Sequence, residues 1–375
     1  MSIFRAKPTE KRSLMIEQEI TGPIAWRAAD LMTNPGEVTI DGETLAELMA
    51  LGRELAANPL PIEALRPQDF DLPLCRSLMQ RVEDEVENGL GFAIVDRLPI
   101  AELGDQTRKV YWLLASMIQR PVAQKWDGTM TYDVTDTGVP PGNGVRPDKT
   151  NAEQNFHTDN SYNLCPPSIV SLLCIRPAME GGVSHIVSFA QAHNRLLERE
   201  PALLSRLYEP FAFDRQREHA ANDIKYIWHP CFEVENGRLL GRLSRFQVKN
   251  GYPLAGSEID RKGRDALEAL EDAMNEDGTP LSFHFQPGQI QFVNNRLLGH
   301  RRTGFTDWPD QAEKRLLVRL WLRDWGASVL QRIKHIGSPR PLPARHSAKH
   351  RHDHAVGRVF GRGVGCDRAA WFRLG

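Results

Sequence analysis

Between residues 168 and 322 the sequence alternates short apolar runs with turn dipeptides. This alternation restricts the possible folds more than any other feature of the sequence. Gly181-Gly182, Asn236-Gly237 and Pro287-Gly288 mark turns, because glycine adopts backbone angles that other residues avoid and proline fixes one of its own. The apolar runs predict buried strands over residues 168–175, 183–187, 281–285, 289–293 and 316–322. Short strands joined by such turns favour a double-sheet jelly roll.

Helices are predicted before this region and as insertions within it. In residues 45–56, Leu48, Leu51 and Leu55 recur every three or four positions, which places them on one helical face. Further helices are predicted over residues 74–86, 99–118, 190–208 and 260–274. The expected fold class is therefore α+β, mainly β, with a jelly-roll core and flanking helices.

The chain is expected to form one domain followed by a tail. Residues 1–330 make up the domain, in which residues 1–125 give helical support and residues 89–325 form the core. The whole chain has a net charge of −1, yet from Arg332 onward ten basic residues face only two acidic ones. The tail, residues 331–375, is therefore basic, rich in histidine and predicted to be disordered.

Composition excludes several classes of protein. The acidic body argues against nucleic acid as the main partner, and no apolar stretch approaches the roughly 20 residues that span a bilayer. The N-terminus lacks the pattern of a secretory signal. Five cysteines are scattered without C-x-x-C spacing, which disfavours disulfides and zinc and points to the cytoplasm. A soluble, cytoplasmic protein with a small-molecule partner is expected.

A candidate metal site lies at Phe156-His157-Thr158-Asp159-Asn160. Alternate residues of a strand share a face, so His157 and Asp159 can stand side by side. Such a pair can supply two of the three ligands in the two-histidine, one-carboxylate arrangement that binds non-haem iron. A surface hydrogen bond between the two side chains is the alternative.

A third ligand and an anion-binding group are available downstream. His300 follows the predicted strand at 289–293, and it can face the metal or remain a hydrogen-bonded core histidine. Arg315, Arg319 and Arg323 are spaced by four, and this places them on one face of a helix or of a strand. A guanidinium binds a carboxylate through two parallel hydrogen bonds, which suits a dicarboxylic cosubstrate; surface exposure is the alternative for Arg323.

Two further segments are assigned to the substrate side. Residues 126–150 are rich in Gly, Pro, Asp and Thr, so they form either an irregular flap over the site or an ordinary surface loop. Arg245, in a predicted strand at 244–246, can bind an anionic group together with Arg319, although both can instead pair with carboxylates of the protein.

These motifs, in order and spacing, resemble the TauD/TfdA (taurine dioxygenase-like) family of Fe(II)/2-oxoglutarate oxygenases across residues 89–325. The resemblance implies a double-stranded β-helix with His157, Asp159 and His300 as iron ligands. It also implies that Arg315 and Ser184 bind the distal carboxylate of 2-oxoglutarate. Arg319 matches a position that meets the substrate anion in some members, and Arg245 and Asn155 complete the candidate substrate-binding residues.

The implied reaction is oxidation, most simply hydroxylation, of a small anionic molecule by O2, with release of succinate and CO2. Two positions depart from the family pattern: Asn294-Asn295 stands for Asp-Asn, and Arg301-Arg302 for Gly-Arg. A non-catalytic jelly roll that binds a small molecule or a metal and a metal-dependent hydrolase are the alternatives. The family also suggests a homo-oligomer; neither the substrate nor the outcome of the oxidation is encoded in these motifs.

Overall fold

The computed structural model describes residues 15–140, 145–219 and 222–324, so the predicted tail lies outside the described residues. The strands are β1 Glu37–Thr39, β2 Phe92–Asp96, β3 Arg120–Val122, β4 Tyr132–Val134, β5 Gln154–His157, β6 Ile169–Arg176, β7 Glu180–Gly181, β8 Ser184–Ser188, β9 Phe211–Asp214, β10 Tyr226–His229, β11 Phe232–Glu235, β12 Arg238–Gly241, β13 Leu281–Phe283, β14 Ile290–Asn294, β15 Leu298–Arg302, β16 Phe305–Thr306 and β17 Leu316–Arg323. The helices are α1 Gly42–Ala57, α2 Pro73–Asn88, α3 Ile100–Leu103, α4 Thr107–Ile118, α5 Phe189–Arg199, α6 Pro201–Leu207, α7 Arg245–Leu254 and α8 Arg261–Asn275.

Two sheets form the core. The larger has the order β1-β2-β14-β6-β17-β3, with β4 also paired to β17, and the smaller has the order β13-β8-β15-β5. Apart from the parallel pair β1–β2, the strands of these two sheets pair in antiparallel fashion. Phe92 and Val293 of the larger sheet and Ile186 and Leu298 of the smaller one share one buried cluster. The predicted jelly-roll fold is confirmed.

Strand β17 separates the site from the helical support. Val318, Leu320 and Leu322 are fully buried in the cluster that also contains apolar residues of α1, α2 and α4. Because side chains alternate along a strand, Arg319 and Trp321 project from the opposite face, the one that meets the smaller sheet. Because side chains alternate between the two faces of β17, Arg319 can lie inside the molecule while the apolar side chains of the other face stay buried against the helices.

A second helical layer extends from the smaller sheet. Helices α5 to α8 pack with β9 to β12 around a separate apolar cluster. The hairpin β11–β12 turns at Asn236 and Gly237, whose φ angles of 52° and 77° suit this turn, so the predicted hairpin is confirmed. The predicted helix at 190–208 is two helices, because Pro201 begins α6 and the backbone of Glu200 is not helical.

Two predictions about loops need correction. Residues 244–246 do not form a strand: Ser244 caps the N-terminus of α7, where its side chain accepts a hydrogen bond from the Gln247 N–H. The flap at 126–150 is not wholly irregular, since it contains β4, which pairs with β17, and a 3₁₀ turn at Pro147–Lys149. Regular backbone structure is therefore present at the start of α7 and at Pro147–Lys149, and both segments line the cavity of the site. Among the described residues, no helix has the length and apolarity needed to cross a bilayer.

Candidate metal centre and active-site cavity

Two histidines face each other across neighbouring strands. His157 ends β5 and His300 occupies the middle of β15, and the two are directly paired in the antiparallel ladder. Opposite residues in such a ladder hold their side chains close together, and here the ring centroids are 4.4 Å apart. The sequence had suggested that His300 follows the strand at 289–293. It lies instead in the middle of the next strand, β15.

Asp159 completes the cluster from outside the strand. β5 stops at His157, so Asp159 belongs to the following turn and not to the extended segment that the sequence predicted. Its Oδ1 lies 3.6 Å from Nε2 of His157 and 3.6 Å from Nε2 of His300, distances too long for hydrogen bonds. The three ligand atoms lie within 4.8 Å of one another, which fits a shared divalent cation.

The protonation of this cluster also fits a metal. Nδ1 of His157 lies 2.9 Å from the Asn155 carbonyl, so an Nδ1–H donates there, and Nε2 is the nitrogen that faces Asp159. Burial, followed by the neighbouring His157 ring, lowers the pKa of His300 and favours its neutral form. Burial would raise the pKa of Asp159, but Arg319 and the two imidazoles hold it well below the usual value. Two neutral imidazoles and one carboxylate are the required donor set.

Arg319 is buried beneath the cluster and fully engaged. Its Nε donates to Gln124 Oε1 at 2.8 Å, its Nη2 lies 3.1 Å from Asp148 Oδ2, and its Nη1 lies 3.2 Å from Asp159 Oδ2. Burial would lower the pKa of Arg319, yet the two aspartates raise it. Arg319 thus pairs with carboxylates of the protein, the alternative that the sequence left open.

Arg315 has a different environment. It is only 4% exposed, and its Nη1 has no hydrogen-bond partner among the described residues. Burial lowers its pKa to about 10, so it remains charged at neutral pH. It lines a cavity of about 440 Å³ with Gly181, Gly182 and Phe285. A buried, incompletely bonded guanidinium beside a cavity is a site for an anion.

The Gly181-Gly182 turn lies close to this guanidinium and to the Gly304 backbone. A Cβ at Gly181 would lie 2.5 Å from the Gly304 carbonyl oxygen, a clash with backbone that cannot be relieved cheaply. A Cβ at Gly182 would lie 3.5 Å from Arg315 Nε. Ser184, predicted to assist Arg315, is buried at the start of β8, two residues beyond Gly182.

A second cavity, of about 300 Å³, opens beside His157 and Asp159 of the candidate metal cluster. His157, Asp159 and Arg319 line it, together with Arg245 and Asn155. The structure therefore brings all three candidate substrate-binding residues to one cavity, although Arg245 reaches it from a helix. Asn155 is exposed, and its backbone carbonyl rather than its side chain orients His157.

Three residues that sequence reasoning missed contact either Asp159 or Arg319. Trp321 donates its indole N–H to Asp159 Oδ2, Asn295 bonds the backbone of Asp159, and Asp148 pairs with Arg319. The signal for Trp321 was present, because it lies two positions after Arg319 and shares its face of the strand. No local pattern predicts the contacts of Asn295 and Asp148 with residues far away in the chain.

The sequence profile described as "Taurine catabolism dioxygenase TauD, TfdA family" matches residues 55–321. The chain belongs to this family, and the resemblance noted from its motifs is confirmed. It is accordingly a dioxygenase of the TauD/TfdA type.

Individual relatives agree with this assignment. FR-33289 synthase from Streptomyces rubellomurinus (strain ATCC 31215) is 24% identical over 315 residues, which cover 82% of this chain and 91% of the synthase. A solved asparagine oxygenase, in complex with Fe(II), 2S,3S-3-hydroxyasparagine and succinate, has 18% identity and a TM-score of 0.59, covering 77% of this chain and 93% of its own. The non-heme iron oxygenase OrfP, in complex with Fe and alpha-ketoglutaric acid, has 13% identity and a TM-score of 0.56, covering 76% and 94%. Both solved structures share the fold.

Proposed function

We propose that this protein is an Fe(II)- and 2-oxoglutarate-dependent dioxygenase that oxidises, most simply by hydroxylation, a small molecule bound in the cavity beside His157 and Asp159. The observation that carries the proposal is the convergence of two imidazole Nε2 atoms on one carboxylate oxygen, each 3.6 Å away. Solved structures of the same fold contain iron with alpha-ketoglutaric acid or succinate. A metal site of this composition leaves coordination positions free for a cosubstrate.

Each residue of the cluster has a defined task in this proposal. His157, Asp159 and His300 hold the iron, which when bound couples the decarboxylation of 2-oxoglutarate, with release of succinate and CO2, to oxidation of the substrate by O2. The strand pairing of β5 and β15 keeps the two imidazoles in register. The surrounding protein orients the substrate and excludes water, which is its usual contribution to cofactor chemistry.

Arg315 is the proposed partner of the distal carboxylate of 2-oxoglutarate. Its buried guanidinium has an unpartnered Nη1 among the described residues and faces a cavity, so it has both the charge and the free donor that a carboxylate requires. Ser184, two residues past the Gly181-Gly182 turn, is proposed to assist. The same guanidinium argues against a hydrolase or a simple metal-binding jelly roll, because neither needs a buried, incompletely hydrogen-bonded cation that lines a second cavity.

The substrate is proposed to be a small organic acid or amino acid. The solved neighbours are complexed with hydroxyasparagine and, in other structures of OrfP, with L-Arg or its hydroxylated forms. Arg245 is half-buried, lines the cavity and forms no ion pair with the residues that the structure describes, so it is the cation most available to an acid group. Arg319 and Asn155 are proposed to contact the substrate as well, Arg319 in competition with its resident aspartates.

The decisive experiment is anaerobic addition of Fe(II) and 2-oxoglutarate to the metal-free protein. A weak visible metal-to-ligand absorption band should form with the wild type and be lost in His157→Ala and His300→Ala. His185→Ala is the matched control, because His185 lies on β8 of the same sheet and its Nδ1 bonds Ser282. A succinate-release screen over sulfonates, amino acids, amines and aryloxy acids then identifies the substrate. Retention of iron and full turnover by His157→Ala would contradict the proposal.

A further inference from the structure

We propose that Trp321 is a positioning residue that restricts Asp159 to one metal-facing oxygen, an inference that rests on the proposed function of the cluster. The indole N–H of Trp321 donates to Asp159 Oδ2 at 2.7 Å, in a fully buried contact. The other oxygen, Oδ1, is the one that faces the two histidines. The two oxygens of one carboxylate therefore have separate partners.

Asp159 needs such restraint because it lies beyond the end of β5. Residues inside the strand are fixed by the ladder with β15, whereas Asp159 belongs to a turn. The backbone of Asp159 is held by the side chain of Asn295 in place of a neighbouring strand. Asn295 Oδ1 accepts the Asp159 N–H at 2.8 Å, and Asn295 Nδ2 donates to the Asp159 carbonyl at 3.0 Å. Asn295 fixes where Asp159 sits, but it leaves the rotation of the carboxylate free.

The carboxylate itself is held by Trp321 and Arg319. A free carboxylate can bind a cation through one oxygen or through both. Binding through both would occupy one of the positions that an open site reserves for the cosubstrate and O2. A hydrogen bond donated to Oδ2 occupies that oxygen, so Asp159 would offer Oδ1 alone to a bound metal.

Trp321 is better suited to this task than Arg319. The guanidinium of Arg319 is divided among Gln124, Asp148 and Asp159, and Asp148 belongs to the flap. The indole has a single N–H with a single acceptor, and Trp321 is 4% exposed within a strand that pairs with β6 on one side and β3 on the other. Its hold on Asp159 therefore does not depend on where the flap lies.

The test compares Trp321→Phe with Trp112→Phe in the full-length protein freed of metal. Trp112 is the matched control, since it is also 4% exposed and donates its indole N–H once, to the Leu65 carbonyl at 3.2 Å in the helical support. The readout is the Kd for Co(II), and for Fe(II) under anaerobic conditions. Loss of a group that orients a ligand typically weakens metal binding about 10- to 100-fold, and this is expected for Trp321→Phe but not for Trp112→Phe. The visible Co(II) spectrum should also change in intensity, because it reports coordination number.

A second variant separates the donor from its packing. Trp321→Gln keeps an N–H donor on a smaller side chain that is a poor Co(II) ligand, so it should bind Co(II) more tightly than Trp321→Phe if the donor matters, and it serves as the test should the Phe variant fail to fold. Equal Kd values and spectra for the wild type and Trp321→Phe, or equally weak binding by the Phe and Gln variants, would overturn the inference. A wild type that binds no metal would instead overturn the proposed function.

Discussion

The arginines at 315, 319 and 323 have regular spacing but different partners. Arg315 keeps an unpartnered Nη1 beside a cavity, Arg319 pairs with two aspartates, and Arg323 donates to the Cys165 carbonyl. The sequence identified the residue types, because the chemistry of iron and of carboxylates demands them. The spacing alone could not distinguish the three arginines, whose roles came from the family resemblance, because the partners of Arg319 and Arg323 lie in segments more than a hundred residues away in the chain.

Replacing Arg315 by Gln should selectively weaken binding of 2-oxoglutarate. A hydrogen bond to a charged group contributes about 1.5–3 kcal/mol, so the loss corresponds to a roughly 10- to 150-fold increase in the KM for 2-oxoglutarate. Iron binding should persist, because Arg315 is not part of the histidine–aspartate cluster. Steady-state succinate release and Fe(II) titration measure the two quantities.

The control for this substitution is Arg176→Gln. Arg176 is a neighbouring arginine on β6 that donates to the Lys314 carbonyl and does not line the cavity of Arg315. It should leave the KM nearly unchanged. An equal rise in both variants would show that Arg315 acts only through packing.

At the scale of elements, the strands and helices with strong periodicity were predicted, and the connections were not. The Asn236-Gly237 hairpin and α1, α2 and α8 follow from local patterns. The mistaken strand at 244–246 had a local signal against it, because Ser244 followed three residues later by Gln247 is the signature of a helix N-terminus. The flap was read as irregular because the short strand β4 gains its stability from pairing with distant β17.

Residues 145–150 of the flap should be held in place mainly by the partly buried ion pair between Asp148 and Arg319. In Asp148→Asn, Arg319 loses one of its two carboxylate partners and keeps Asp159, so the cost should lie below the about 3–5 kcal/mol of breaking a buried pair outright. We expect faster amide hydrogen exchange in residues 145–150 than in the wild type. Hydrogen–deuterium exchange with mass spectrometry measures this directly.

Asp133→Asn is the control within the same flap. Asp133 pairs with Arg108 at 2.7 Å, but the two side chains are exposed to 44% and 40%, respectively. An exposed pair contributes about 0–1 kcal/mol, so exchange should barely change. Similar effects of the two substitutions would mean that the Asp148 pair does not hold the flap.

At the scale of the whole molecule, two apolar cores flank the site. One lies beneath the larger sheet, and the other surrounds α5 to α8. The sequence predicted a double-sheet fold from its apolar strands, but apolar runs did not mark β5 and β15 as strands, because their sequences are largely polar. It did not predict the strand order, since pairs such as β14 with β2 join segments almost two hundred residues apart and local pattern carries no information on them.

The second core should make the fold sensitive to acid through His193. This residue is fully buried near Tyr208 and Phe232, and burial lowers its pKa from 6.5 to about 4. As the pH falls from 6.5 to 4, His193 binds a proton in the unfolded chain but not in the folded protein. The free energy of unfolding therefore decreases over this range. The loss amounts to about 2 kcal/mol at pH 5 relative to neutral pH.

His193→Phe removes this proton uptake. The free energy of unfolding is measured with urea at pH 7 and at pH 5. Its decrease between these two pH values should be about 2 kcal/mol smaller in the variant than in the wild type. Identical pH dependence in both proteins would rule out His193 as the acid-sensitive group.

The pairing of β4 with β17 has a consequence for how small molecules enter and leave. Strand β17, which carries Arg319, pairs with Tyr132–Val134, so this part of the flap is fixed to the larger sheet. Arg146, Pro147 and Asp148 line the cavity beside His157, whereas Tyr132–Val134 do not. Entry of small molecules should therefore respond more to substitutions at Pro147 and Asp148 than to substitutions within Tyr132–Val134.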